Sequence, residues 1–336
     1  MKYPVNPYFP HKDADKELLH TLKDTPVNPI FIMGLHRSGT TFLYDSIARC
    51  FPVAELSLYN LFYYDGLLRN HKDSSHDACR SLLNKIFRGL HITDRKLDRV
   101  WVDDRMVEEY GWLLRNKSYH MSIHETNKDY FAEICKKLLY VNPDSNSVLL
   151  KNPWDTGNAE QIKRWFPNAK FIYITREPIA IINSQINAAK TLITGDQPFQ
   201  TMLVDQFKMP GGRRTREVCY RAWAIARKMK SHIPDQVIFN TFRPFVTHAV
   251  KSDLVGYYND INNLPDDSVY CLTYDSFNSD PAGKLSEIQR FIDLEFTESP
   301  DLISPNPRKA FNSALSKHEP KLMSQLEKLL GHSAVV

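Results

Sequence analysis

The stretch FIMGLHRSGTTFLYDSI, residues 31–47, joins an apolar run to a loop bracketed by glycines and then to a helix pattern. Gly34 and Gly39 enclose four residues, and Leu43, Ile47 and Phe51 recur at the i, i+4, i+8 spacing of one helix face. A buried strand that runs into such a loop and helix makes an anion cradle, because the first helical amides have no backbone acceptor and point at a phosphate. The expected ligands are Arg37, Ser38, Gly39, Thr40 and Thr41. A nucleoside triphosphatase would carry Lys followed by Ser or Thr after the second glycine; here Thr40-Thr41 stand there and the cation, Arg37, sits inside the loop. That departure counts against ATP hydrolysis.

Outward from this stretch, three short apolar runs read as buried parallel strands: Ile30–Met33, Ser147–Leu150 and Phe171–Thr175. Each precedes a helix pattern. Ile162, Trp165 and Phe166 share a face after the second run, and Pro178 opens a helix after the third at a favoured first-turn position. A further strand is expected at Val269–Thr273, and Asp280-Pro281 reads as N-cap and first residue of a helix carrying Leu285, Ile288 and Ile292. Alternating strands and helices predict an α/β, P-loop-like three-layer fold with a central parallel sheet flanked by helices. With 336 residues the chain fits one such domain, 1–336, with insertions. Residues 52–128 read as an insertion, helical in pieces, that shapes an acceptor pocket, and 191–217, rich in Gly and Pro, as a lid loop.

A Walker B strand would end in an acid. The run FIYIT ends instead in Arg176, and Ser184 follows eight residues later on the second turn of the next helix. A guanidinium and a hydroxyl suit a phosphate. Two anion sites without an evident metal-binding acid point to a nucleotide with phosphate at both ends, bound without metal. Composition narrows the partners further. Lys and Arg number 43 against 39 Asp and Glu, a net charge of +4, too small for bulk attraction to nucleic acid. Five cysteines, widely spaced and without a CxxC pair, argue against a disulfide framework or a zinc site. No apolar run approaches a membrane span. These features predict a cytoplasmic chain with no nucleic-acid partner, no membrane insertion and no metal; they leave the oligomeric state open.

The two anchors, HRSGTT (His36 to Thr41) and the pair Arg176 and Ser184, make the chain resemble the sulfotransferases that use 3′-phosphoadenosine 5′-phosphosulfate (PAPS). Arg in RSGTT is similar to the tyrosylprotein and bacterial branch. The segment LLKNPWDTGNAEQIKRWFPNAKFIYITREP, residues 149–178, resembles tyrosylprotein sulfotransferases over its whole length. The resemblance implies a sulfotransferase-type fold and transfer of a sulfuryl group to an acceptor hydroxyl. It puts Arg37 and Lys151 at the leaving oxygen, and Glu55 as general base, with His36 as the alternative base. It also implies the 5′-phosphosulfate on the 34–41 loop, the 3′-phosphate on Arg176 and Ser184, Tyr274 of LTYDSFNSDP near the adenine, and Lys317 of NPRKAFNSALSKHEP, with Arg308 and Lys309, closing the nucleotide site.

Competing readings are a P-loop kinase or NTPase, a nucleotide-binding protein without transfer activity, and a nucleic-acid binder. His120 and His124 fall at i, i+4 and make two ligands, not a metal site. Glu108 and Glu109 read as a solvated helix face, and the run RRTREVCYRAWAIARKMK, residues 213–230, as a helix with a solvated basic face. The acceptor itself is not legible.

Overall fold

A computed structural model of the chain describes residues 14–96, 100–195, 197–207 and 235–305, with single helical positions at 218, 221, 222, 225, 228, 324 and 328. Five strands form one parallel sheet flanked by helices: β1 (Pro29–Met33), β2 (Val53–Glu55), β3 (Ser147–Lys151), β4 (Lys170–Thr175) and β5 (Val269–Thr273), in the order β2-β3-β1-β4-β5. All five residues of β1 and the four inner residues of β4 are buried, which is why both runs are apolar on both faces. Phe31 stacks on Phe171 with ring centroids 5.2 Å apart, fixing the β1–β4 register in which Met33 lies beside Tyr173.

The chain divides into two compact units, one of residues 1–29, 53–150 and 191–231, the other of residues 30–52, 151–190 and 232–336. In the second unit α1 (Thr40–Cys50) buries Leu43 and Ile47, α7 (Ala159–Trp165) buries Ile162, and α8 (Pro178–Thr194) begins at the expected proline. It also holds the long α10 (Asp235–Asn263), α11 (Tyr274–Ser279) and α12 (Pro281–Ile292). Asp280 caps α12 through the N–H of Gly283 at 2.9 Å, and Leu285, Ile288 and Ile292 are buried, as the sequence predicts.

The first unit holds α2 (Leu58–Phe62), α3 (Leu67–Lys72), α4 (His76–Gly89), α5 (Gly111–Ser118), α6 (Lys128–Val141) and α9 (Pro198–Gln206). Helix in pieces over 52–128 is thus what forms. The loop read over 191–217 is different. Residues up to Thr194 complete α8 and 198–206 form α9, because Pro198 starts a helix as readily as it ends one; residues 208–217 lie outside the described residues, as does most of the basic run 213–230. β2 has no counterpart in the sequence reading: with three residues at the sheet edge, it offers too short a pattern to recognise.

Candidate active site

The loop at the carboxyl end of β1 is shaped by backbone conformations that ordinary residues avoid. Gly34 has φ +153° and Gly39 φ +107°, while Arg37 takes φ 75°, a left-handed conformation paid by a non-glycine residue. Gly39 cannot be replaced without displacement: a Cβ there would lie 2.3 Å from Cδ2 of Tyr274. The first turn of α1 receives no side-chain cap, so its amides remain open to an anion. Ser38 is 0% exposed, and its Oγ is buried without a hydrogen-bond partner. A buried hydroxyl left unpaired at a helix start is uncommon in folded proteins.

Three neighbouring segments of the same unit converge on this loop. From α8, Ser184 Oγ accepts a hydrogen bond from Arg37 Nε at 3.0 Å, and Gln185 Nε2 donates to the carbonyl of His36 at 3.0 Å. From the end of β3, Lys151 Nζ donates to Thr41 Oγ1 at 3.2 Å. Lys151 is only 3% exposed, and among the described residues no carboxylate pairs with it. A buried ammonium with one neutral partner is costly unless an anion completes it. The turn beyond it, residues 152–158, is held by buried Asp155, which accepts from Asn152 Nδ2 at 2.7 Å and Asn158 Nδ2 at 3.0 Å. This turn returns to the loop twice: Thr156 Oγ1 donates to Gly34 O at 3.4 Å, and the ring of Trp154, 54% exposed, stands edge-on to His36 with centroids 5.2 Å apart.

Behind the turn, Asp260 of α10 accepts the N–H of Gly157 at 2.6 Å and of Ala159 at 3.0 Å, capping α7 from a distant part of the chain. Burial pushes its carboxyl up to about 6, against the pull of those hydrogen bonds. Asp253, about two helical turns earlier, is also raised by burial, with His36 acting in the opposite sense.

Parallel pairing explains where Arg176 falls. β4 and β5 end level, Thr175 beside Thr273, and parallel β1 ends two residues sooner, Met33 beside Tyr173, so Arg176 and Tyr274 leave adjacent strands side by side at the same end of the sheet as the loop. The Arg176 guanidinium lies 4.6 Å from the Tyr274 ring centre, and no ion pair to it exists among the described residues. Tyr274 is buried between this guanidinium and the backbone of Gly39.

Arg37, Ser38, Gly39, Thr40, Thr41, Lys151, Arg176, Ser184 and Tyr274 therefore belong to one unit and meet through these pairwise contacts. Ser184, expected beside Arg176, bonds Arg37 instead. Glu55 is the last residue of β2, opposite Leu149 of β3, in the other unit. The chain after it is pinned: Ser57 and Asn60 form a capping box at the start of α2, and Leu58 N and Glu108 N bond Met106 O and Leu56 O at 2.8 and 3.0 Å. Lys317, Arg308 and Lys309 lie outside the described residues.

Two expectations need correction. Glu108 is not solvated: it is buried, and Arg95 stands 3.8 Å away. His120 and His124 are on the connection between α5 and α6 rather than on a helix, with rings 4.5 Å apart, and among the described residues no group of three or more His, Cys, Asp or Glu is placed to hold a metal ion. The sequence reading missed Gln185 and Asp260. The first is adjacent to Ser184 on α8; the second carries no local signal, since its partners are about a hundred residues away.

No curated protein sequence matches the chain. Among solved structures, the sulfotransferase STF9 from Mycobacterium avium aligns with a TM-score of 0.60 at 12% identity, covering 95% of this chain and 81% of that one. The sulfotransferase STF1 from Mycobacterium tuberculosis H37Rv aligns with a TM-score of 0.54 at 14% identity, covering 95% and 80%. These likenesses show a shared fold. A model of the sulfotransferase family matches residues 29–251, well over half of the chain, and the chain therefore belongs to the sulfotransferase family.

Proposed function

We propose that the protein transfers the sulfuryl group of PAPS to a hydroxyl of an acceptor, releasing 3′,5′-ADP. Family membership carries sulfuryl transfer in general; the donor and the residue roles are our reading. The observation that carries it is the set of uncompensated groups around one loop: the buried Ser38 Oγ, the buried Lys151 ammonium and the Arg176 guanidinium without an ion pair. That donor set fits a ligand with anionic groups at two places. It would hold PAPS with Ser38 to Thr41 and Arg37 at the 5′ end, Arg176 and Ser184 at the 3′-phosphate and Tyr274 beside the base.

When bound, PAPS supplies an activated sulfuryl group on a phosphate leaving group. Arg37 and Lys151 place two cations where negative charge grows on the leaving oxygen, and they do so in a buried setting where each is worth more than in water. Ser184 holds Arg37 in place through its Nε, which fixes the fork before the substrate arrives. Glu55 takes the acceptor proton as general base, with His36 as the second candidate, and residues 52–128 shape the acceptor side. The described cysteines Cys50, Cys79, Cys135 and Cys271 are free, which supports a reducing, cytoplasmic setting. Among the described residues no helix is long and apolar enough to cross a membrane.

Arg176→Ala tests the donor assignment. Loss of a charge-assisted phosphate contact weakens 3′,5′-ADP about 10- to 100-fold, while 5′-AMP, which lacks the 3′-phosphate, binds as to wild type. Equal affinity of both proteins for 3′,5′-ADP contradicts the assignment.

A further inference from the structure

Besides Lys151 and Arg176, a third cation has no ion pair among the described residues, and it belongs to the other unit. Arg115 is on α5, where Leu113 and Leu114 face the core and Trp112 and Arg115, three residues apart, share the opposite side. The guanidinium carbon stands 4.4 Å from the Trp112 ring centre, and Trp112 packs on Phe207 with centroids 5.9 Å apart. Arg115 is half-buried. Its Nε and Nη2 are both out of reach of solvent and have no hydrogen-bond partner, and its side chain has no ion pair among the described residues. Burial lowers its affinity for a proton with no anion acting in the opposite sense.

The two orphaned nitrogens are not a random pair. Nε and Nη2 form one edge of the planar guanidinium, and their N–H bonds run parallel, the spacing that accepts two oxygens of a carboxylate, phosphate or sulfate. Stacking on Trp112 uses the face of the group and leaves this edge without a partner. Folded proteins seldom leave two desolvated donors unpaired on one residue, and among the described residues this edge has no acceptor. We infer that Arg115, backed by Trp112, is an oxyanion subsite that takes the carboxylate, phosphate or sulfate end of a small ligand in the plane of the guanidinium. The binding claim stands by itself; that the oxyanion is one end of the sulfuryl acceptor rests on the function proposed above and on the 52–128 segment forming the acceptor side.

The test uses the full chain with phenyl phosphate as probe, titrated by calorimetry and by tryptophan fluorescence in the presence of saturating 3′,5′-ADP. Wild type binds phenyl phosphate saturably; Arg115→Gln weakens it at least tenfold; Arg115→Lys, which keeps the charge without the two-donor edge, falls between; Lys117→Ala, which removes an exposed cation of the same helix, leaves it unchanged. Equal affinity in Arg115→Gln, or an equal loss in Lys117→Ala, overturns the subsite. Folding supplies an independent reading. Arg115→Met removes an uncompensated buried charge and melts at or above the wild-type temperature, whereas a fall of many degrees shows the guanidinium to be an internal structural partner and overturns the inference. Failure of the donor reading would appear separately, as absent 3′,5′-ADP binding, while the phenyl phosphate titrations could still be compared among the variants.

Discussion

Gly39→Ala asks whether the anion loop is held in the geometry described. Alanine at φ +107° costs about 1–3 kcal/mol in backbone strain. Its Cβ would also meet Tyr274 Cδ2 at 2.3 Å, where carbon atoms rest about 3.5–4.0 Å apart, so the ring must move by more than an ångström. That ring is buried, with Arg176 against it, and overpacking of this kind costs about 1–3 kcal/mol more. Together the change removes about 2–6 kcal/mol, a large share of a typical domain's stability, and weakens 3′,5′-ADP binding at the same time. Urea denaturation of Gly39→Ala, Tyr274→Ala and the double variant separates the two parts. With the ring gone, only the strain remains, so the double variant is more stable than additivity predicts by about the overpacking share. Gly39→Ala within about 0.5 kcal/mol of wild type, or a strictly additive cycle, would refute the packing of Tyr274 on the loop.

Lys151→Met and Glu55→Gln both lower turnover, by about 100-fold or more, and Lys151→Met does not lower the melting temperature, because it replaces a buried, uncompensated ammonium with an apolar side chain; single-turnover kinetics check both and thermal melts the second point, and wild-type turnover in Glu55→Gln removes its role as base. Asp260 imposes a pH dependence of definite sign. Its carboxyl is raised from 3.8 to about 6 on folding, so the folded state holds the proton more tightly. The associated stability is fully present below about pH 3.8 and is lost as pH rises to about 6, at up to about 1.4 kcal/mol per pH unit. The stability of wild type minus that of Asp260→Asn therefore falls between pH 4 and 6; a difference that rises or stays flat contradicts the burial argument.

Much of this architecture was legible in residues 29–51, 147–178 and 269–292, because each strand there is a short apolar run closed by a loop and each helix has its own start signal. The alternation of strand and helix implied parallel pairing, and parallel pairing put the loop, Arg176 and Tyr274 at one end of the sheet. What escaped was fixed by contacts between distant residues. Ser184 sits eight residues from Arg176 in sequence, yet the direction of its hydroxyl depends on how α8 packs, and it meets Arg37. The acid that caps α7 comes from α10, so no spacing near residue 159 announces it. Glu108 looked like half of a solvated pair; it is buried, with Arg95 3.8 Å away and the Glu109 N–H donating to its Oε1 at 3.0 Å. Gly39 was visible as the second glycine of a phosphate loop, whereas its tight fit against Tyr274 was not.

The proposed function requires the loop to bind a nucleotide with phosphates at both the 3′ and 5′ positions. Calorimetric titration with 3′,5′-ADP and, separately, with ATP and Mg²⁺, each repeated in EDTA, decides it. Tight binding of 3′,5′-ADP that EDTA does not change, with weak binding of ATP, is the expected result. Preference for ATP with Mg²⁺, abolished by EDTA, would contradict it and return the loop to the phosphoryl-transfer enzymes.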